Sequence, residues 1–332
     1  MTAGRDGAEL GRRLRDRDLT AAPATLNLLE SAADADREQA GALEREVAPA
    51  RLGGEAPGHV VGLTGPPGAG KSTLLSALVH AWRERGRSVA VLAVDPSSRR
   101  SGGALLGDRA RIEFDPGDRG VFIRSTAAGE RLGGLAPGTR AAASALAAAF
   151  DVVVIETVGV GQAETDVADV ADTVVVVVQP GSGDALQFLK SGIMEIPDVL
   201  VVTKADLGQI ALRARRDLSA ALRSLGADAN VVSVSSLPPA QGVDELVDEL
   251  DARRAALDVT ARRAAARRSA ALTDFVDEHG RRGLRSLGGR RAAESWLAQQ
   301  DGGLDVPALV EALERRAAVN GAAEPTRRGA GG

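Results

Sequence analysis

The chain contains no cysteine, so disulfides, thiolate metal sites and cysteine nucleophiles are all excluded from its chemistry. A cytoplasmic address is the expectation that fits. Histidine is nearly as scarce, and His59, His80 and His279 stand far apart with no spacing that suggests a ligand set. An excess of positive charge is missing too. With 41 basic residues against 45 acidic ones and a pI near 5.6, no long-range positive field exists to gather a polyphosphate backbone, and nucleic acid is not an expected partner. No apolar run approaches the roughly 18 residues needed to cross a bilayer. Met1 to Arg13 mixes acids with arginines and has no apolar stretch, so neither a secretory nor a transit segment is expected. There is no internal repeat.

Lysine is the most informative shortage. Only Lys71, Lys190 and Lys204 occur in a chain whose positive charge is otherwise arginine, and a lysine retained in such a sequence points to a position that needs a compact ammonium on a flexible stem. Two of the three fall inside the motifs described below. Lys190 has no role that the residues define.

Among its 332 residues, 44% are hydrophobic, enough for one sizeable core with helical additions. Residues 1–57 are predicted as a helical segment and linker: Leu26, Leu28 and Leu29 have helical spacing, and Gly53 to Gly58, with Pro57, breaks the pattern. Over residues 58–256, β-branched runs alternate with helical stretches. The runs are His59 to Thr64, Ser88 to Asp95, Val121 to Arg124, Asp151 to Glu156, Thr173 to Val178, Val199 to Thr203 and Asn230 to Ser235. Several, above all Thr173 to Val178, are apolar on both faces, as strands covered by helices on both sides must be. The predicted fold is therefore α/β, with a doubly wound, mainly parallel sheet whose site lies in the loops at the carboxyl ends of its strands. Residues 257–320 read as a C-terminal helical segment, with Leu272, Phe275 and Val276 at i, i+3, i+4, packed on the main domain or on a second subunit. Residues 321–332 read as a disordered tail. Trp82 and Trp296 are expected to be packing residues.

Gly65-Pro66-Pro67-Gly68-Ala69-Gly70-Lys71-Ser72 follows the first strand and opens a helix near Lys71. It is the G-x-x-x-x-G-K-[ST] phosphate loop in its required strand-to-helix setting, which makes the domain a P-loop NTPase. Its glycines let backbone N–H groups converge on phosphate oxygens, and the helix N-terminus adds its positive dipole. Lys71 is expected to bridge β- and γ-phosphates and Ser72 to bind Mg²⁺, with Thr73 completing the nucleotide-contacting stretch. A phosphate loop does not choose the base. Thr203-Lys204-Ala205-Asp206 resembles the N-K-x-D element that does. An ionised Asp206 only accepts hydrogen bonds, which suits the N1–H and N2–H₂ of guanine together. Adenine would leave that carboxylate unpaired, a mismatch that can cost a factor of roughly 10⁴ or more. The stem of Lys204 is expected to lie along the base, and Ser235, Ser236 and Leu237 are expected to offer backbone N–H groups to the guanine O6.

Glu156-Thr157-Val158-Gly159 resembles D-x-x-G with Glu for Asp. Glu156 is expected to reach Mg²⁺ directly or through water, and the Gly159 N–H to sense the γ-phosphate and release the loop after hydrolysis. Val160 follows where a water-orienting glutamine would be needed, so slow intrinsic turnover is expected unless Gln162 or a partner compensates. Asp95, in Val94-Asp95-Pro96-Ser97-Ser98, ends the second strand and is expected to hold a Mg²⁺-bound or attacking water. Asp108 is a candidate further metal ligand. Arg111 is either a transition-state cation or a solvated surface residue. The candidate catalytic set is thus Lys71, Asp95, Asp108, Glu156 and Gly159, and the candidate metal set is Ser72, Asp95, Asp108 and Glu156.

The ordered series Val94 to Ser98, Gly107-Asp108-Arg109, Leu132-Gly133-Gly134, Glu156 through Gln162 and Gly183-Asp184 through Lys190 is more specific than a generic GTPase. Over roughly residues 20 to 256 it resembles the MeaB/ArgK family of GTPases associated with methylmalonyl-CoA mutase. The resemblance implies a homodimeric GTP- and GDP-binding chaperone that gates cofactor loading and protection of an adenosylcobalamin-dependent acyl-CoA mutase. The C-terminal helices would be its dimerisation arm. The departures are Thr203 for Asn, Ser236 for Gly and Arg109 for Lys. Competing readings are a nickel- or zinc-delivering GTPase, which would normally show a Cys- or His-rich relay, an ATP-dependent kinase or transport ATPase, which Asp206 opposes, and a module that binds nucleotide without hydrolysing it.

Overall fold

The computed structural model describes residues 6–95, 112–127, 135–157, 163–181, 197–224, 226 and 229–322. Four N-terminal helices come first: α1 (Gly7–Arg15), α2 (Ala22–Leu29), α3 (Asp34–Glu46) and the short α4 (Pro49–Leu52). The alternating region follows as β1 (His59–Thr64), α5 (Lys71–Glu84), β2 (Val89–Asp95), β3 (Val121–Ala127), α6 (Pro137–Leu146), β4 (Val152–Thr157), α7 (Ala163–Ala168), β5 (Thr173–Val178), β6 (Val199–Val202), α8 (Gln209–Ser224), β7 (Asn230–Ser233) and α9 (Val243–Ala256). The chain then continues through α10 (Val259–Ser286), α11 (Arg290–Leu297) and α12 (Val306–Ala322). Seven strands form one sheet in the order β3-β2-β4-β1-β5-β6-β7, and every neighbouring pair is parallel.

Each predicted strand is present, with β1 and β5 ending where the sequence pattern does. β3 runs three residues further than expected, because its pairing with β2 continues to Asp95 opposite Ala127. β7 stops earlier, and Ser235 instead bridges antiparallel to Gln241.

Alternate strand residues face opposite layers. On one side Val61, Leu63, Val91, Val175 and Val201 meet Leu74, Leu78 and Trp82 of α5 and Leu246 and Leu250 of α9. On the other, Val60, Leu92, Ile155, Val174 and Val176 meet Leu26 of α2, Leu43 of α3, Leu146 of α6, Val167 of α7 and Leu218 of α8. The N-terminal helices therefore share the core of the sheet domain. A separate small core of Leu272, Phe275, Leu287, Leu297, Leu309 and Leu313 joins the three C-terminal helices.

Arg263 is the most buried of several arginine contacts between the C-terminal helices and the sheet domain. Arg263 of α10 donates from Nε to Asp172 Oδ1 at 2.8 Å and from Nη2 to Asp172 Oδ2 at 2.6 Å. Its remaining donors reach the carbonyls of Ala56 (2.7 Å) and Gly58 (2.6 Å), just before β1. Burial opposes ionisation of Asp172, yet the Arg263 hydrogen bonds hold its carboxyl below the ordinary value. Beside them His59 is buried, with Nε2 2.8 Å from Thr173 Oγ1, and burial pushes it down to about 4. It is a neutral packing residue, as its isolation in the sequence implied. At the other end α12 runs through Ala322, so it takes in the first two residues of the stretch predicted as tail; the rest lies outside the described residues.

Candidate functional site

β1 lies between β4 and β5, where the sheet order reverses direction. The loop after β1 therefore opens into the crevice that a doubly wound sheet leaves for ligands. Gly65 begins this loop at φ +145°, and a Cβ there would come within 2.1 Å of the Val177 carbonyl oxygen on β5; only glycine permits that approach. Gly70, at φ +89°, turns the loop into α5. Lys71 is its first residue and is buried, with Nζ donating to the Gly65 carbonyl at 2.7 Å and the Pro66 carbonyl at 3.2 Å. The ammonium thus sits inside the curve of the loop. Pro67 and Gly68, by contrast, are exposed at its crest, and a Cβ on Gly68 would project into open space. Thr73 is exposed as well.

Ser72 Oγ donates to Glu156 Oε1 at 3.2 Å. Residues 84 positions apart thereby put a hydroxyl and a buried carboxylate side by side at the mouth of the phosphate loop. Hard oxygen donors of this kind are what Mg²⁺ takes, and it normally uses only one or two protein ligands besides phosphate and water. The pair fits such an ion. Beneath it, Thr157 Oγ1 donates to Thr64 Oγ1 at 2.9 Å, tying the ends of β4 and β1 together. Asp95 ends β2, whose pairing of Val94 with Thr157 sets its backbone beside the end of β4; its side chain lies outside the described residues. So do Asp108, Arg109, Arg111, Gly159, Val160, Gln162, Leu132 to Gly134 and Gly183 to Lys190.

The segment predicted to read the base follows β6. Thr203, where the motif usually has Asn, donates from Oγ1 to the Ala69 carbonyl at 2.7 Å and shares that proton with the Val178 carbonyl at 3.1 Å. The hydroxyl therefore fastens this segment to the phosphate loop. Lys204 adopts the left-handed region at φ +54°, and its Nζ donates to Gln179 Oε1 at 2.6 Å. Asp206 is exposed and accepts at Oδ1 from the hydroxyl of buried Ser235, 3.0 Å away. One expectation needs correcting. The Ser235 N–H donates to the Gln241 carbonyl at 3.0 Å, so this residue does not offer its amide to a base; it orients the Asp206 carboxylate with its side chain. Ser236 and Leu237 remain for the amide role, and Leu237 is 59% exposed.

Sequence reasoning missed Gln179, Gln241 and the Thr64–Thr157 pair. Gln179 follows a buried strand immediately, the one signal that marked it. The Thr64–Thr157 pair depends on pairing across the sheet, and Gln241 on a bridge that closes its own loop onto Ser235.

Fold and phosphate loop are those of a P-loop nucleotide-binding protein, and the Asp206 carboxylate lies beside Ser235. The sequence matches the family described as Methylmalonyl Co-A mutase-associated GTPase MeaB over residues 22–280. The chain belongs to that family. It is similar to a GTPase of Pyrococcus horikoshii, 49% identical over 199 residues that make up 60% of each protein. A Mycobacterium tuberculosis GTPase is 45% identical over 214 residues, 63% of this chain and 62% of that relative. The mouse mitochondrial methylmalonic aciduria type A homolog is 45% identical over 160 residues, 47% of this chain and 38% of its own length. The chain thus spans about 60% of the length of the curated relatives matched first. Among solved structures, that of an LAO/AO transport system kinase superposes with a TM-score of 0.64 at 27% identity, covering 95% of this chain and 98% of the other.

Proposed function

We propose that this protein binds Mg²⁺·GTP, hydrolyses it to GDP and phosphate, and uses the cycle to gate cofactor loading and protection of an adenosylcobalamin-dependent acyl-CoA mutase. The observation that carries the nucleotide part is the Ser72–Glu156 contact of 3.2 Å. It joins the first turn of the phosphate-loop helix to the strand end that leads directly into Gly159. Lys71 holds phosphate charge inside the loop, and Asp206, oriented by Ser235, accepts from the guanine edge. Mg²⁺, when held by Ser72 with Glu156 nearby, supplies the positive charge that neutralises the β- and γ-phosphates. Asp95, Asp108 and the Gly159 amide complete the proposed catalytic set. The mutase partnership rests on membership of a family described as mutase-associated.

We also propose that residues 58–256 are the nucleotide unit, that residues 257–320 form the arm of a homodimer, and that the protein acts in the cytoplasm. Asp206→Asn places an amide donor against the guanine N1–H and should lower the preference for GTP over ATP by about 10³-fold or more in competition binding. An unchanged preference would remove Asp206 from base reading. The partnership is tested separately, by co-purifying the full chain with each acyl-CoA mutase of its host and measuring GTP turnover in the mixture. Neither complex formation nor altered turnover with any mutase leaves the GTPase assignment standing and removes the chaperone role.

A further inference from the structure

At the amino-terminal edge of the sheet, away from the phosphate loop, α3, α6, α7, α10 and α12 surround a cavity of about 1190 Å³. Small-molecule sites usually measure roughly 300–1,000 Å³, so this one has room for an extended ligand. Much of its wall is apolar, supplied by Leu29, Val47, Val60, Val170, Val306 and Val310. Its charge is unbalanced: eleven carboxyl groups line it against five guanidiniums. Four of those guanidiniums are already committed, Arg263 to Asp172, Arg267 to Glu55 at 2.7 Å, Arg140 to Asp274 and Arg37 to Asp34 at 3.5 Å, which leaves eight of the eleven carboxyls outside these pairs.

Glu44 is the decisive residue. Its side chain reaches from α3 into the cavity and makes no hydrogen bond or ion pair among the described residues. Burial, with repulsion from Asp305 and then Asp274, pushes its carboxyl up to about 8. Burial also raises Asp169, Asp274 and Asp305. A carboxyl kept protonated by such surroundings gives up its proton when a cation arrives, because the cation pairs with the charge that the surroundings otherwise disfavour. A divalent metal suits the site poorly, because it needs oxygens converging within roughly 2–2.6 Å of one point. Among the described residues the group that converges in this way is Glu278, His279 and Glu314, which leaves Glu44 out and is already held by the His279–Glu314 contact at 2.9 Å.

We propose that this cavity binds an aliphatic polyamine, with methylenes along the apolar wall and one ammonium at Glu44. Acids spaced over an apolar surface complement ammonium groups separated by hydrocarbon, whereas a compact cation uses the charges and wastes the wall. The site is independent of the nucleotide reading.

Titration calorimetry of the full chain with spermidine at about 150 mM salt should show saturable binding, since nonspecific surface attraction is largely screened there. Glu44→Gln keeps the shape and removes the charge, and should weaken binding at least about tenfold. Glu84→Gln, at an exposed site on α5, should leave binding unchanged, and thermal unfolding verifies that both variants fold. GTP turnover should be the same in both. The proposal is overturned by the absence of saturable binding, by equal affinity in Glu44→Gln, or by Mg²⁺ displacing spermidine at matched ionic strength. A basic peptide such as oligolysine binding more tightly than spermidine, and through Glu44, overturns it too, since the cavity would then be a docking site for protein.

Discussion

Thr203 shows how one substitution inside a motif is absorbed. A carboxamide in this place can join strand end, phosphate loop and base at once, whereas a hydroxyl has one proton to give. Here that proton goes to Ala69 and Val178, and in the proposed function base reading is left to Asp206, which Ser235 orients. Thr203→Val keeps the shape and removes the proton, so the Ala69 carbonyl loses its tether at a cost of about 1 kcal/mol. Mg²⁺·GDP affinity should fall roughly fivefold to tenfold by calorimetry, with the guanine preference intact. A lost preference with unchanged affinity would contradict this division of labour. The candidate roles of Lys71, Ser72, Glu156 and Asp206 could be read because each stands at a fixed offset within a short motif. The partner Gln179 could not, since Lys204, which it touches, is supplied by another loop; nor could Gln241, whose bridge to Ser235 is set by how their shared loop folds.

At the scale of elements, strand existence was readable from apolar β-branched runs, because a strand buried on both faces has few alternatives. Their ends were less so. β3 lengthens and β7 shortens according to what the neighbouring strand offers, which is a property of the pair. The attachment of α10 was equally hidden: Arg263 is one arginine among many on that helix, and only its position over Asp172, Ala56 and Gly58 gives it a role. Removing one partner of a buried pair typically costs ~3–5 kcal/mol, because the other charge stays buried without compensation. Arg263→Met should therefore lower the unfolding free energy by about that amount in denaturant titration. Arg254, 3.2 Å from Asp172, moderates the loss, and adding Asp172→Asn should recover part of it. A change under about 0.5 kcal/mol in Arg263→Met, the range of an ordinary surface substitution, would show that the arm is held by other contacts.

Taken whole, the molecule has two regions at opposite ends of one sheet, a nucleotide crevice at the carboxyl edge and a charged, arm-walled region at the amino edge. A ligand that binds only the folded state stabilises it by mass action, by about 2.7 kcal/mol at a hundred times its dissociation constant. Mg²⁺·GDP should accordingly raise the thermal midpoint by several degrees in the full chain, while Mg²⁺·ADP at the same concentration leaves it almost unmoved. Equal stabilisation by both would count against guanine selectivity. The amino-acid order alone determined the sheet class, the phosphate loop and the carboxylate proposed to read the base, because each depends on residues close together along the chain. Folding decided what distant segments do jointly: the Ser72–Glu156 oxygen pair, the Thr203 tether, the Arg263 attachment and the cavity around Glu44. Those contacts bring together residues tens to hundreds of positions apart, and no local pattern encodes the register that makes them meet.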